Sequence, residues 1–485
     1  MTTPRVRLGE TRLGIDNAFA RMPFRFGVIT MEAAASLSLE LDVIIDGRKF
    51  VGRASDLLAY KWFDKRPEKT PADNVADLLW VVEVASSLAR DLPEGTPFEL
   101  WRQLDAAVDR AAVDGGFNRL GASFGVSMIE RAMIDAVGKA RGMSFRRMLS
   151  ADTLGLRPGE VFPELEGIGV DEVLPASPLS RLDLRHTVGL VDPLTSHDSL
   201  DPVGDGLPET LEDYLRHDGV RYLKIKVGGD LTADQERLEA IAGLLSVGGF
   251  RVSVTLDGNE QYRRLEDFAA LMEAVRTRPS LADLYGSILF VEQPLERSVA
   301  LSGTLDRAAL DTIGRPLLID EADGWTSAFR EAIDLGYRGV SHKNCKGVIR
   351  SVLNAMLAAR HSRIAGEPGA YFQSAEDLTC LPVVSLHADL AVVAALGITH
   401  VERNGHHYFR GLDHLPAQEA EAALAAHPDL YERAGERIQL AIRDGALSVA
   451  SLDTPGLAST VQPDLARRVA PKDWSFAMLN DKKNA

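Results

Sequence analysis

The chain of 485 residues is long enough for two or three domains, and its composition is that of an ordinary soluble globular protein. The formal net charge of -16 argues against a general nucleic-acid binder or a protein of anionic membrane surfaces, and only two cysteines, Cys345 and Cys380, exclude a disulfide framework. No apolar run is long enough to span a bilayer and the N-terminus lacks a secretory signal, so we expect a cytoplasmic protein.

Residues 1 to about 150 are predicted to form an α+β domain. The run Ala35–Ile45 alternates apolar and polar residues as a strand does, and Asp46-Gly47 is a hairpin turn signal directly after it. In 123–142, apolar residues recur at three- and four-residue spacing, which predicts a helix with one apolar stripe that ends at Gly142.

Two segments of this domain mix cationic and aromatic residues, and we interpret both as loops. The first contains Arg21, Phe24, Arg25 and Phe26, and the second contains Asp56, Tyr60, Trp62, Phe63 and Lys65. Such loops can hold a small acid, and within them we assign Arg25 and Tyr60 to substrate binding. A solvated surface is the commoner explanation of the same pattern.

From residue 151 onward, short apolar strands alternate with amphipathic helical patterns. The segment 151–215 is rich in Pro, Gly and Asp and has one strand candidate, Thr187–Val191. Further strands are predicted near 222–227, 252–257, 288–292, 316–320, 338–343, 370–376 and 399–403. Helical patterns cover 232–246, 264–276, 326–335, 348–361 and 381–396. This alternation over about 240 residues is typical of a parallel sheet and favours a (β/α) barrel.

The last segment, 411–485, shows one helical pattern around 416–443 and then irregular chain with prolines. We expect it to return and pack on the first domain. The predicted organisation is therefore an α+β domain over 1–150, a barrel domain over 151–410 and a returning C-terminal segment over 411–485.

Carboxylates end three consecutive strands of the predicted barrel: Asp257, Glu292 and Asp320. Barrel enzymes act at the C-terminal ends of their strands, where these acids would repel one another unless a cation lies between them. All-oxygen ligation suits Mg²⁺ or Mn²⁺ and not Zn²⁺. One such acid more often caps a helix, but three in succession favour a metal site. Glu321 is the substitute third ligand, or a partner for a lysine.

The strand before these acids contains Lys224-Ile225-Lys226, and alternation places both lysines on one side. A lysine surrounded by other cations has a lowered pKa and can remove the weakly acidic proton next to a carboxylate. We assign Lys226 as this base, and Lys224 as the group that lowers its pKa and binds the substrate's carboxylate. A Lys-x-Lys pair without the acids would more often be a pair of structural salt bridges.

A second acid–base group should face the substrate from the other side of the barrel. The strand near 338–343 ends in a cationic cluster, from which we choose Lys343 first and then His342 and Lys346. Glu376 and Glu402 end the next two strands and are candidates to hydrogen-bond the substrate or to orient a lysine. Each of these two acids alone is more often structural.

Four strand motifs, in this order, resemble those of the enolase superfamily, in its mandelate racemase and muconate-lactonizing enzyme branch: Lys224-Ile-Lys226, Asp257-Gly-Asn259, Val291-Glu-Gln-Pro294 and Ile319-Asp-Glu321. The resemblance runs from about residue 20 to 410, and this superfamily's use of a Lys or His base with Mg²⁺ is an established pattern. It implies a capping α+β domain over a modified (β/α)₇β barrel, with Mg²⁺ on the three acids. It also implies that both mixed loops close over the substrate and that the protein is a homo-oligomer. We further assign Asn259 and Lys346 to substrate binding.

Some features depart from this pattern. Only one glycine, Gly347, follows the sixth-strand cluster, and its spacing from Lys343 is one residue short. The sixth strand has no Asp and no His lies near Glu376, so the His–Asp dyad of the racemase type is absent. The chain between Asp257 and Glu292 is long, with Arg276–Gly286 as its insertion. These features place the chain nearer the lysine–lysine type, in an outlying subgroup.

The sequence therefore predicts a Mg²⁺-dependent enzyme that abstracts the α-proton of a small carboxylate. Its outcome would be racemisation or epimerisation, dehydration, or cycloisomerisation, and neither nucleic acid nor membrane is expected as a partner. One alternative is a catalytically inactive relative that keeps the fold for binding or assembly. Another is an aldolase that forms a Schiff base through Lys226 or Lys343.

Overall fold

The structure is a computed structural model that describes residues 3–26, 29–199 and 201–480. Strands in these ranges form a three-stranded sheet, a nine-stranded sheet and a two-stranded sheet. The strands are β1 Val6–Phe26, β2 Ile29–Ile45, β3 Arg48–Leu57, β4 Arg181–Val188, β5 Tyr222–Lys226, β6 Ser253–Asp257, β7 Ile288–Glu292, β8 Leu317–Ile319, β9 Gly339–His342, β10 Phe372–Ala375, β11 His400–Arg403, β12 Tyr431–Ala434, β13 Arg437–Leu440 and β14 Ala446–Ser448.

The α-helices lie beside these sheets and are joined by short 3₁₀ turns. They are α1 Pro71–Asp91, α2 Pro97–Asp114, α3 Arg119–Arg141, α4 Phe145–Ser150, α5 Leu211–Asp213, α6 Leu231–Gly248, α7 Leu265–Thr277, α8 Ala282–Ser287, α9 Arg297–Ala300, α10 Arg307–Ile313, α11 Ala328–Leu335, α12 Val348–Ala365, α13 Val384–Leu396, α14 Gly405–Tyr408 and α15 Ala417–Ala426. Within the described part of the chain, none of them has both the length and the apolar character needed to cross a membrane.

The N-terminal unit is an antiparallel sheet, β1-β2-β3, covered by helices α1 to α3, and we call it the cap. Asp46 and Gly47 both have positive φ, 49° and 78°, so the predicted hairpin turn between β2 and β3 is confirmed. Helix α3 packs directly on the sheet, since a Cβ on Gly52 would lie 1.7 Å from the carbonyl oxygen of Ala132. The predicted end of this helix is also confirmed, because Gly142 is left-handed with φ 64°.

The prediction of a loop over Arg21–Phe26 is wrong, because these residues belong to the long strand β1. Phe24 pairs with Met31 and Arg25 with Thr30 on β2, so this segment is one arm of a β-hairpin. The side chain of Phe26 lies outside what the structure describes. The second mixed segment follows β3 and is irregular from Leu58 to Thr70, as predicted for a loop.

The large sheet is a closed barrel with a fold of the (β/α) type. Strands β4 to β11 run parallel in sequence order, and β11 pairs with β4 to complete the circle. Strand β14 adds to the outside of β4 in the antiparallel direction. The predicted barrel strands agree with this structure to within two residues, except that β4 begins at Arg181, six residues before the predicted start.

The C-terminal segment is only partly the helix that the sequence predicted. Helix α15 stops at Ala426, just before His427-Pro428, because proline cannot continue the backbone ladder, and the hairpin β12–β13 follows. The expectation that the segment returns to the first domain agrees with its contacts. Ile15 of β1 exchanges backbone hydrogen bonds with Val469, and Trp474 donates to Asn17.

Candidate active site

Charged side chains stand at the C-terminal ends of seven of the eight barrel strands. They are Lys226, Asp257, Glu292, Asp320, Lys343, Glu376 and Glu402. The register places Lys226 beside Asp257, and Asp257 beside Glu292, on neighbouring strands. Because parallel strands of a barrel end at the same rim, these residues meet at one mouth.

Lys224, two residues before the end of β5, lies at the centre of this mouth. Its ammonium is 2.8 Å from Glu292, 2.8 Å from Glu376, 3.0 Å from Asp257 and 3.1 Å from Glu402. Burial alone would lower the pKa of Lys224, but the four carboxylates outweigh it and hold that pKa well above its ordinary value. Lys224 is therefore the shared counter-ion of these acids.

The ammonium of Lys226 contacts the same carboxylate as Lys224. It lies 2.6 Å from Asp257 Oδ2 and 3.5 Å from Asn259 Oδ1. The sequence argument relied on repulsion between the two lysines. In the structure Asp257 lies between their charges and opposes that repulsion.

Lys343 ends β9, four strands away from β5, and so stands on the opposite side of an eight-stranded circle. Its ammonium is 2.7 Å from Asp320 Oδ2 and 4.3 Å from the centroid of the Trp62 ring of the cap. Burial would lower the pKa of Lys343, but Asp320 outweighs burial and raises it. Lys343 is thereby held as a cation between an acid and an aromatic face.

Glu321 follows Asp320 but turns toward the cap. Its Oε1 accepts from Asn259 Nδ2 at 3.0 Å and from Lys65 at 3.1 Å, whereas its Oε2 is buried without a hydrogen-bond partner in the described chain. Burial raises the pKa of Glu321, and Lys65 offsets only part of that effect. Of the two roles predicted for Glu321, its contacts show the pairing with a lysine.

The cap closes the mouth through a loop fixed to the barrel. Arg297 donates to the carbonyl oxygens of Trp62 and Phe63, each at 2.8 Å, and to both oxygens of Glu260. Lys65 forms an ion pair with Glu260 beside the one with Glu321. These contacts fix Trp62 above the strand ends.

A small cavity of about 50 Å³ lies between this loop and the strand ends. The barrel contributes Lys224, Lys226, Asp257, Asn259, Asp320, Lys343, Asp377, Leu378, Thr379, Glu402 and Asn404, and the cap contributes Phe24, Met31, Leu57, Ala59 and Trp62. The opposed lysines Lys226 and Lys343 therefore share one small, partly open space with two of the three predicted metal ligands.

Seven of the predicted site residues do not line this cavity: His342, Arg25, Tyr60, Lys346, Glu376, Glu292 and Glu321. Alternation along β9 turns His342 outward, where it hydrogen-bonds Ser351 and faces Asp389. Arg25 is solvent-exposed, and the Tyr60 hydroxyl donates to the backbone oxygen of Ala33. His342 is thus excluded as the acid–base group, and Arg25 and Tyr60 as substrate contacts.

The fourth of these residues is Lys346, which lies beneath Asp320 instead of facing the cavity. Its ammonium donates to Ser341 at 2.6 Å and lies 3.0 Å from Asp323. Glu376 likewise lies behind Lys224, where Arg185 also binds it. Both residues support the charged side chains that line the cavity.

Sequence reasoning did not assign Trp62, Asp377, Thr379 or Asn404 to the site. Trp62 was noted only as part of a mixed loop, and Asp377 and Asn404 each lie within two residues of a charged residue at a strand end. Asn404 donates from Nδ2 to Glu402, and its Oδ1 is buried without a hydrogen-bond partner in the described chain. Their position just beyond a strand end is therefore the signal by which Asp377 and Asn404 could have been assigned to the site.

The acids of the mouth can be tested as ligands for a divalent cation. All are carboxylates, which Mg²⁺ prefers, and Glu292 Oε2 lies 2.8 Å from Lys224 yet makes no hydrogen bond. Burial, then Asp257 and Glu376, raise the pKa of Glu292 well above its ordinary value, as expected of an acid short of positive charge. The donor set therefore fits Mg²⁺ or Mn²⁺ chemically.

The arrangement of these acids is nevertheless one held together by lysines. Asp257 and Glu292 face Lys224, while Asp320 accepts from Lys343 and Ser341. Across residues 3–26, 29–199 and 201–480, no group of three or more His, Cys, Asp or Glu side chains is arranged to hold a metal ion. A dication would thus need Lys224 to give up its present contacts.

Comparisons with known proteins identify the fold. No family model matches the sequence, and no curated protein matches it. Solved structures do match. The structure of the N-succinyl Arg/Lys racemase of Bacillus cereus matches at 15% identity and TM-score 0.59, with 96% of this chain and 98% of that chain covered. The muconate lactonizing enzyme of Pseudomonas fluorescens with muconolactone matches at 15% identity and TM-score 0.56, with 95% and 98% covered.

A third similar structure is an enolase from Bradyrhizobium complexed with magnesium and mandelic acid. It matches at 16% identity and TM-score 0.57, with 94% of this chain and 96% of that chain covered. At such identities the likeness shows the fold alone. The chain has the capped barrel fold of these enolase and muconate lactonizing enzyme structures, as the motifs predicted.

Proposed function

We propose that this protein is an enzyme that removes the proton next to the carboxylate of a small acid, with a bound Mg²⁺ or Mn²⁺ ion. The observation that carries the proposal is the placement of Lys226 and Lys343 on opposite sides of one small cavity, above Asp257 and Asp320. Two amines facing one small space is the geometry needed to take a proton from one face of a carbon and return it to the other.

Asp257, Glu292 and Asp320 are the residues that would hold the ion. When bound, such an ion stabilises the negative charge that develops on the carboxylate oxygens. The presence of magnesium in a structure of the same fold supports this assignment. One oxygen each of Glu292 and Glu321 is buried without a hydrogen bond in the described chain and is available to a cation.

The remaining steps belong to the chain's own side chains. Lys226 removes the α-proton, and Lys343, held as a cation, stands across the cavity to deliver a proton on the other face. Lys224 supplies positive charge for the substrate carboxylate, and Glu376 and Glu402 hold it in place. The cap loop excludes water from these groups.

Three outcomes follow from one proton abstraction. A proton returned by Lys343 gives racemisation or epimerisation, and loss of a β-hydroxyl as water gives dehydration. Loss of an internal β-carboxylate opens a lactone, which is the reverse of cycloisomerisation. The printed names of similar structures include a racemase and a lactonizing enzyme, which supports this range.

Deuterium incorporation tests the proposal. The protein with Mg²⁺ in D₂O is incubated with a set of small carboxylates, and exchange at the α-carbon is followed by mass spectrometry. We expect exchange that EDTA abolishes and that Lys226→Ala removes. Lys472→Ala, at a residue outside the cavity, is the control. Exchange that persists in Lys226→Ala would contradict the choice of base.

A second candidate function is a protein that keeps the fold for binding or assembly without catalysis. The position of Lys224 favours it, because an ammonium already holds the acids together. Calorimetry decides between the two: measurable Mg²⁺ binding to the wild-type protein supports the enzyme, and no binding up to millimolar Mg²⁺ supports the inactive relative.

A further inference from the structure

The two halves of the cavity differ in chemistry. The barrel side carries the lysines and acids, whereas the cavity-lining residues of the described cap present carbon surface and a single polar group, the indole N–H of Trp62: Phe24, Met31, Leu57, Ala59 and Trp62. Each of these side chains is buried, between 2% and 7% exposed. A ligand held by its carboxylate at the barrel side would therefore meet carbon surface on its other side.

The polar groups of the cap that stand nearest this roof already have partners. Arg21 is buried and bonded to Asp205 and to two backbone oxygens, and Lys65 is bonded to Glu260 and Glu321. The Tyr60 hydroxyl is bonded to Ala33. Releasing any of them for a ligand would leave a buried polar group unsatisfied, which is costly.

One buried polar atom of the barrel side remains open to a ligand. Asn404 is 3% exposed and lines the cavity, and its Oδ1 has no hydrogen-bond partner in the part of the chain that the structure describes. Because Glu402 can only accept, the Asn404 amide nitrogen must face it, which fixes Oδ1 as the free acceptor. A donor on or near the α-carbon of a ligand would satisfy this atom.

The size of the cavity limits the ligand further. Its volume is about 50 Å³. A single water needs roughly 10 to 15 Å³ of such space, so only a few heavy atoms fit while the cap is closed.

We infer that the substrate is a small carboxylate whose α-carbon bears a short apolar group, and not an acid sugar or another polyol acid. The inference rests on the proposed function and adds the chemical class of the substrate. A second hydroxyl directed at the roof would lose its hydrogen bonds to water, and among the cavity-lining residues of the described cap only the indole N–H of Trp62 could replace one of them. The apolar substituent instead packs under Met31, Leu57 and Trp62.

A matched pair of substrates tests the inference. 2-Hydroxybutyrate and glycerate have the same number of heavy atoms, and differ by a terminal methyl in place of a hydroxyl. With the wild-type protein, Mg²⁺ and D₂O, we expect α-deuteration of 2-hydroxybutyrate to exceed that of glycerate by about tenfold to a hundredfold in kcat/KM. Equal rates, or faster exchange of glycerate, overturn the inference and leave the proposed function standing.

A change in the roof should move the ratio between these two substrates. Met31→Gln places an amide in the roof, and we expect the ratio to fall about tenfold toward glycerate. Met133→Gln is the control, because Met133 is 1% exposed but lies in α3 away from the cavity. Ala59→Ser is the milder variant if Met31→Gln does not fold, with the same expected direction. An unchanged ratio in the folded roof variant counts against the inference.

The failure of the inference is distinguishable from that of the proposed function. Exchange of acid sugars such as gluconate, without exchange of alkyl-substituted acids, refutes only the substrate class. No Mg²⁺-dependent exchange on either class refutes the proposed function and, with it, the inference.

Discussion

The two ends of the barrel differ in the volume of their cavities and in charge, and the end with the larger cavity has less convergent charge. A hollow of about 890 Å³ opens at the strand starts, among Phe290, Phe372 and Tyr371, whereas the space at the strand ends is about 50 Å³. The smaller space has the opposed lysines and the buried acids, whereas the larger one mixes apolar residues with the exposed charged residues Glu172, Arg363 and Glu367. Size alone would therefore select the end opposite the proposed site, whereas convergent charge selects the proposed site itself.

The difference also concerns what burial costs. Burial of apolar residues at the strand starts stabilises the fold. Burial of charged residues at the strand ends costs hydration free energy, which only their mutual ion pairs can offset. Lys224 shows this dependence, because one ammonium has three protons but touches four carboxylates. A buried group of carboxylates that is short of positive charge costs stability, and its presence indicates that it is kept for function.

The largest expected effect tests the strand ends directly. Lys226→Ala should lower α-proton exchange by about a hundredfold to ten thousandfold, because it removes the base. Stability should change little, since Asp257 retains Lys224 as a partner. Exchange rates and urea unfolding, measured on the same preparations, check both halves of this expectation.

Lys224→Met should destabilise the protein by about 3 to 5 kcal/mol in EDTA, because the variant leaves several buried carboxylates without their shared cation. Millimolar Mg²⁺ should restore part of that loss. Arg468→Met is a matched control, because Arg468 is also buried and lies 2.6 Å from both Asp16 and Glu419. It belongs to the C-terminal segment and does not line the barrel mouth. Urea unfolding of both variants, with EDTA and with Mg²⁺, measures how much stability Mg²⁺ restores. Equal recovery of stability in Lys224→Met and Arg468→Met would contradict the expectation.

At the strand starts, Leu317→Ala should cost about 3 kcal/mol of stability, because Leu317 is 1% exposed and begins β8. Exchange per folded molecule should stay near that of the wild-type protein. Unfolding midpoints and exchange rates of the purified variant give the test. A loss of exchange as large as that of Lys226→Ala would erase the contrast between the two ends.

A buried acid outside the mouth gives the smallest effect. Glu130 accepts from the backbone N–H of Val348, but its other oxygen lacks a partner in the described chain, and burial raises the pKa of Glu130 to about 7. Between its ordinary pKa of 4.5 and about 7, the unfolded chain loses this proton first, so stability falls as pH rises.

Glu130→Gln should remove that loss, leaving the variant roughly 2 to 3 kcal/mol more stable than the wild-type protein near pH 8 and equal to it near pH 4. Urea unfolding at several pH values between these limits measures the difference. Parallel pH profiles for the two proteins would show that Glu130 is not the group responsible.

The barrel could be predicted because its information is local. Each strand is a short apolar run followed by a helical pattern, and parallel register brings successive strand ends together without knowledge of distant contacts. The acids at residues 257, 292 and 320 and the lysines at 226 and 343 could therefore be placed at one rim from their order alone.

What escaped prediction depends on distant partners. Lys224 bonds Glu376 and Glu402, which lie 152 and 178 residues further along the chain, and no local pattern indicates that choice. Strand β1 was missed because glycines interrupt it. One of them, Gly14, is required by the tail, since a Cβ there would lie 2.5 Å from the Cβ of Arg468.

Strand β1 is an edge of its sheet, and on its open side Val6 bonds Gly95 while Ile15 bonds Val469. An edge of 21 residues with free amide and carbonyl groups is a template on which other chains can add. The returning segment covers part of this edge at Ile15. A protein shortened before Val469 would keep its barrel intact and yet become prone to aggregate.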